Sequence, residues 1–266
     1  MEKTKLIATV NITPRLEDQV YQFIKTGIDV IRLNMSYLNH EDCTKAIDIV
    51  NKVNSELGTN VAIMLDLEGP CPRTGEFVNG MAYFNTGDKI RIYTDQIKGN
   101  MTGFSVNYPE IIKALKFHSH LKLSKGNVEL EVIEKGLDYV LCEVLKGGEV
   151  YDHSKIYISE ASVNRKFLTK GDIDDIVYAH KMNVDFLAIS AINSSEDILE
   201  VNDLLIELEN SNISLLAKIE NRRAAEDLEN IVKVSDGIIL DRGDLGIDIP
   251  VEKVPNIQKK IIDACY

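Results

Sequence analysis

Paired cysteines, long apolar runs and surplus positive charge are all scarce in this sequence. The four cysteines, Cys43, Cys71, Cys142 and Cys265, form no CxxC and no zinc-ligand spacing. The absence of such spacing suits reduced thiols in the cytosol rather than a disulfide framework or a structural zinc site. The opening stretch MEKTKLIATV is charged and then apolar for too few residues to make a signal peptide. No run reaches the length needed to span a bilayer, so a cytoplasmic protein is expected. Lys and Arg number 30 against 42 Asp and Glu, a formal charge of −12. That balance argues against non-specific nucleic-acid binding and against attraction to anionic membranes. It leaves room for a local basic pocket facing a phosphorylated metabolite.

What is present is an ordinary globular composition, 44% hydrophobic and 27% charged over 266 residues, enough for one large α/β domain with an insertion. KLIATV is followed by Leu16, Val20, Phe23 and Ile24 on one helical face that stops at Gly27. VIRLN comes next, then a stripe of Cys43, Ala46, Ile47, Val50, Val53 and Leu57 ending at Gly58, then NVAIMLDLEGP. Strand, helix, strand, helix, strand at this rhythm predicts βαβ units and a parallel sheet.

From about Glu76 to Glu160 the helical stripe is largely gone. KIRIYTD, LKLSKG, NVELEVIEKG and YVLCEVLKGGEV alternate with Gly, Asn and Asp turns, which predicts a small antiparallel module. The βα rhythm resumes with a helix over Asp172–Met182, the strand VDFLAIS, a helix opened by SSED in capping-box form, and the strand SLLAKIE. A helix through Leu228, Ile231 and Val232, the strand GIILDRGD and a last helix from Val254 complete the chain. The expected fold is α/β: an incomplete TIM-type (β/α) barrel, two strands short of eight, with a small all-β domain inserted. The expected boundaries are 1–75 and 161–266 for the two barrel parts and 76–160 for the insertion.

In such a barrel the C-terminal strand ends converge on one site. The polar residues there are Arg32, Asn34 and Ser36 after strand two, Asp66 and Arg73 after strand three, and Ser190 after strand four. Lys218 and Glu220 end strand five, and Asp241 and Asp244 follow strand six. Lys218 and Glu220 are two apart on a strand and so share a face. Glu220 with Asp244 makes a plausible oxygen-ligand pair for Mg²⁺, and Arg32, Arg73 and Lys218 supply the positive charge that a transferring phosphoryl group needs. Taken singly, a strand-end Lys or Asp is most often an ion pair or a cap, and an RGD tripeptide says little. The convergence of these cations and carboxylates is what suggests a metal-dependent site for an anionic substrate.

TKLIATV, IRLNMS, AIMLDLEGPCPRTG, LLAKIEN and SDGIILDRGDLGIDIPVEKVPNIQK, in this order and spacing, resemble the pyruvate kinase family. The resemblance implies phosphoryl transfer from phosphoenolpyruvate to ADP, giving pyruvate and ATP, with Mg²⁺ (or Mn²⁺) and, in most members, K⁺. By matched position, Arg32 and Lys218 hold the moving phosphoryl group and Lys218 also faces the enolate oxygen. Glu220 and Asp244 bind the divalent ion. Gly243, Asp244 and Ser190 lie on the substrate side, with backbone at Gly243 and Asp244 receiving the carboxylate. Asn34, Ser36 and Asp66 match monovalent-cation ligands, and Arg73, with Asn34, is on the cofactor side. The inserted module falls where the family has its lid domain.

The sequence also departs from the family pattern. Ser36-Tyr37-Leu38 lacks a histidine, Glu68 stands in place of a lysine, and Ser190-Ala191-Ile192-Asn193 lacks an arginine. Asn11-Ile12, Ser124-Lys125-Gly126 and Lys155-Ile156-Tyr157-Ile158-Ser159-Glu160 have drifted, and Asp241 replaces a small residue. The family's last two barrel strands and C-terminal domain have no counterpart, so the expectation is either a fragment of a longer product or a shortened chain without the usual allosteric control. An open barrel implies a protein partner or homo-oligomer covering it. Two alternatives to a phosphotransferase follow: a degenerate homologue that binds metal and a small carboxylate as a regulatory subunit, and a metal-dependent 2-oxo acid lyase.

Overall fold

The computed structural model describes residues 4–158, 167–209 and 212–266. The chain divides into two compact units, one within Met1–Pro70, Phe167–Asp241 and Pro255–Tyr266, the other within Cys71–Lys166 and Arg242–Val254.

The first unit is built on a six-stranded sheet whose spatial order follows the sequence. Its strands are β1 (Ile7–Thr9), β2 (Val30–Asn34), β3 (Ala62–Asp66), β4 (Phe186–Ile189), β5 (Ser214–Ile219) and β6 (Gly237–Leu240). Every neighbouring pair is parallel. The connecting helices include α1 (Leu16–Lys25), α2 (His40–Leu57), α3 (Lys170–Met182) and α4 (Ser195–Glu207). Strand and helix in strict alternation, with all strands parallel, make this an incomplete TIM-type barrel. β1 and β6 are its edges among the described residues.

The helices form where the apolar spacing and the end signals agree. In α1 the buried residues Leu16, Val20 and Ile24 recur every four positions, one stripe on a 3.6-residue period. The Asn39 side chain caps α2 by accepting from the Asp42 N–H, and Gly58 ends that helix at φ +64°. A left-handed terminal residue is where glycine is favoured. Thr169 and Asp172 form a reciprocal capping box at the start of α3.

Strand periodicity then sorts the side chains between two faces. Ile31, Leu33, Ile63, Leu65, Leu187, Ile189, Leu215, Ala217 and Ile219 join the helices in the main core. Each large aliphatic side chain buried there contributes about 1.5–3 kcal/mol. Val30, Met64 and Ala188, with Ala62, Phe186, Leu216 and Ile239, form a separate small cluster on the opposite face. That inner face is apolar at its base, and its next positions along the strands are polar.

The second unit has a six-stranded sheet ordered Ile156–Ile158, His120–Leu123, Val128–Lys135, Tyr139–Lys146, Lys89–Tyr93 and Gly103–Ser105. All its pairings are antiparallel except the last. Met81–Phe84 pairs separately with Gly148–Tyr151. Alternate residues Val128, Leu130 and Val132 face Val140, Cys142 and Val144 within a core that also holds Phe84 and Phe104. The short helix Arg242–Asp248 belongs to this unit. No helix among the described residues is long and apolar enough to cross a membrane.

Candidate active site

The inner-face positions at the C-terminal strand ends of the first unit carry Arg32, Asp66, Ser190, Lys218, Glu220 and Asp241. Parallel register lines them up, with Asn34 beside Asp66 and Thr9 beside Arg32. Side chains of matching parity on neighbouring strands must therefore meet.

Asp66 is the hub. Its carboxylate accepts from Arg32 Nε at 2.7 Å and also pairs with Arg32 Nη2. It accepts from Ser190 Oγ at 3.1 Å and lies 3.3 Å from the Lys218 ammonium. Lys218 Nζ further donates to Ser190 Oγ at 2.8 Å and pairs with Glu220 Oε1 at 2.7 Å. The other Glu220 oxygen accepts from the Ala191 backbone N–H at 3.2 Å. Asp66, Ser190, Lys218 and Glu220 are all buried. No buried side-chain nitrogen or oxygen among the described residues lacks a hydrogen-bond partner. A buried ionic network persists only when it is this fully satisfied.

Burial pulls the Lys218 pKa down, but Glu220 and Asp66, joined by Asp241, outweigh it and hold the value above that of an ordinary lysine. The side chain is thus a fixed cation at neutral pH, suited to binding negative charge rather than to removing protons. Glu220 and Asp241 each place a carboxylate oxygen within 4.8 Å of the other. Hard oxygen donors at such separation suit a divalent ion of the Mg²⁺ type.

The loops behind the network are fixed by backbone contacts. Gly69, after β3, has φ +68°, and a Cβ there would meet the Ser190 carbonyl oxygen at 2.4 Å. Its N–H donates to the buried Asp172 carboxylate at 3.0 Å. Asp172 therefore caps α3 and anchors the β3 loop at once. Asn34 Oδ1 accepts from the Ser36 N–H at 3.0 Å, so these two residues share one local turn. Tyr37 is 75% exposed.

The remaining expected residues lie in the second unit. Arg73 Nη1 donates to the His153 carbonyl at 2.9 Å, and its backbone N–H donates to Asn107 Oδ1 at 2.7 Å. Gly243 and Asp244 are on the helix Arg242–Asp248. Asp244 accepts from Lys155 Nζ at 2.5 Å and from the Tyr157 hydroxyl at 2.9 Å. Of the stretch 155–160, Ser159 and Glu160 lie outside the described residues. In the same unit His118 pairs with Glu131.

Sequence reasoning missed Thr9, whose hydroxyl accepts from Arg32 Nη1 at 2.8 Å. Its inner-face position at the end of β1 is the signal that points to it. Asp172 and Ala191 carried no comparable signal, because their roles depend on contacts across 103 and 29 residues of sequence.

Parallel β/α units whose strand ends gather cations and carboxylates on the inner face define an incomplete TIM-type barrel. The whole chain, residues 1–266, matches the family described as pyruvate kinase, barrel domain, and the protein belongs to the pyruvate kinase family. It is 34% identical over 267 residues to pyruvate kinase of Staphylococcus haemolyticus, covering 100% of this chain and 46% of that protein. Identity is also 34% to pyruvate kinase of Clostridium perfringens, of which 56% is covered. With pyruvate kinase of Staphylococcus aureus strain MRSA252 it is 35%, over 46% of that protein. The chain spans about half the length of these relatives.

Proposed function

We propose that this chain carries the phosphoryl-transfer half of a pyruvate kinase site, moving phosphate from phosphoenolpyruvate to ADP. The supporting observation is the buried network in which Asp66 holds Arg32, Ser190 and Lys218 together, with Lys218 paired to Glu220. In this reading Arg32 and Lys218 are catalytic. Both are held on one inner face, where their charges meet an anion without reorganising. As the enol oxygen–phosphorus bond breaks and a bond to the terminal ADP oxygen forms, Lys218 balances the charge left on the enolate oxygen. Asp66 and Thr9 keep Arg32 aimed, and Ser190 orients the Lys218 ammonium. The enolate then takes a proton from solvent to give pyruvate.

The residues that would hold the divalent ion are Glu220 and Asp244, with Asp241 an added carboxylate, and the donor set is of the oxygen type that Mg²⁺ or Mn²⁺ takes. When bound, such an ion supplies Lewis-acid charge neutralisation at the enolate and phosphoryl oxygens. Gly243 and Asp244 backbone would receive the substrate carboxylate, and Arg73 would lie on the nucleotide side. Asn34, Ser36 and Asp66 would bind K⁺. The edges β1 and β6 would be covered by further protein, as later segments of a longer chain, a protein partner or a second copy. A cytoplasmic setting fits this chemistry.

A second reading is a homologue that binds metal and carboxylate without turnover. It is favoured by the exposed Tyr37 where the family has histidine, and by Glu68 and Asn193 in place of cations. One assay separates the two: Mg²⁺- or Mn²⁺-dependent pyruvate formation from phosphoenolpyruvate and ADP, with oxalate binding followed in parallel. Turnover lost in Lys218→Met establishes the kinase reading. Metal-dependent oxalate binding without turnover establishes the binder.

A further inference from the structure

Asp244 has both carboxylate oxygens engaged by the β-rich unit. Lys155 Nζ sits 2.5 Å from Oδ2, and the Tyr157 hydroxyl donates to Oδ1 at 2.9 Å. These are constructed contacts rather than a loose surface pair. The two side chains are about one-fifth exposed, 21% and 20% for Lys155 and Asp244. Lys155 lies on a backbone bridge to Arg73, and the next residue, Ile156, donates to the Pro72 carbonyl at 2.8 Å. Its ammonium is 5.2 Å from the centre of the Tyr157 ring, a cation–π distance. The helix carrying Asp244 is tied to the same unit at its other end, where Lys122 Nζ donates to the Ile247 carbonyl at 2.8 Å.

We propose that Lys155 is the resident counter-ion of Asp244 in the ion-free chain, and that a divalent ion binds Asp244 by displacing the Lys155 ammonium while Tyr157 keeps its hydrogen bond to Oδ1. This inference rests on the reading of Asp244 as an ion ligand. Its physical basis is that one carboxylate oxygen cannot accept a short ammonium contact and a metal bond in the same direction. The gain from the dication is then reduced by the loss of an established ion pair. The ion site is thus charge-balanced before the ion arrives, and its apparent affinity is lowered by the competing lysine.

The test is Mn²⁺ binding to the full chain, measured from the resonance of free Mn²⁺ near pH 7.5. The proteins compared are the parent, Lys155→Met, Lys155→Arg, Asp244→Asn and Glu220→Gln, with folding checked by circular dichroism. Lys155→Met, which keeps the aliphatic stem, is expected to bind Mn²⁺ at least about tenfold more tightly, and Lys155→Arg to stay close to the parent. Mg²⁺ should also raise the rate at which acetic anhydride modifies Lys155 in the parent, read by mass spectrometry. Equal Mn²⁺ affinity in the parent and Lys155→Met, with binding lost in Asp244→Asn and Glu220→Gln, overturns the counter-ion role and leaves the ion site standing. Unchanged binding in Asp244→Asn and Glu220→Gln places the ion elsewhere, and the reading of the site fails together with the inference.

Discussion

Lys218 and Glu220, two residues apart at the end of β5, form a 2.7 Å ion pair whose cation also reaches Ser190, just past β4, and Asp66 at the end of β3. Removing the cation takes the ion-pair partner from the buried Glu220 carboxylate, whereas Asp66 keeps Arg32. Lys218→Met should therefore cost about 3–5 kcal/mol of stability as well as any turnover. Urea denaturation with a matched Glu220→Gln, Lys218→Met double variant checks this. The double variant should recover part of the loss, because the neutral amide no longer needs a counter-charge.

Gly69 is irreplaceable on geometric grounds. Its φ of +68° costs an ordinary residue about 1–2 kcal/mol. An added Cβ would also stand 2.4 Å from the Ser190 carbonyl, backbone that has no side-chain freedom with which to retreat. Gly69→Ala is expected to lose at least about 2 kcal/mol and to weaken anion binding, since Ser190 must shift. Thermal unfolding and oxalate titration read the two effects separately.

Asp172 joins a helix cap to a distant loop through one carboxylate. Oδ2 accepts from the Thr169 hydroxyl at 2.6 Å while Oδ1 accepts from the Gly69 N–H at 3.0 Å. Asp172→Ala should destabilise by about 2–4 kcal/mol, the sum of a lost cap and a buried N–H left unpaired. Thr169→Ala removes only the cap and should cost about half as much. Equal losses would mean that the contact to Gly69 contributes nothing.

The thiols should divide sharply. Burial pushes Cys142 up to about 12, and burial with the nearby Asp175 and Asp42 charges does the same to Cys43, whereas Cys265 is exposed. At pH 8 only about one Cys142 in 10⁴ would be thiolate, the form that alkylates. Iodoacetamide should label Cys265 first, with Cys43 and Cys142 reacting only on unfolding. The linkage has a definite sign. Above about pH 8.5 the unfolded thiol releases its proton while native Cys142 keeps it, so the native state binds more protons and stability falls as pH rises. Cys142→Ala should flatten that alkaline slope in denaturation midpoints measured from pH 8.5 to 10.5.

The sequence by itself determined the barrel strands and their order. Apolar runs of strand length, separated by 3.6-period stripes such as Leu16, Val20 and Ile24, have one economical solution, a parallel β/α sheet. It also determined that Lys218 and Glu220 share a face, because side-chain direction along a strand repeats every two residues. Only the tertiary structure decided the partners. That Asp66 is shared by Arg32, Ser190 and Lys218 depends on register between four strands, and register is set by packing across the whole sheet. Asp172 reaches Gly69 and Lys155 reaches Asp244 across 103 and 89 residues. No local period encodes such distances: each contact exists because two separately specified elements pack into the same place and leave one donor facing one acceptor.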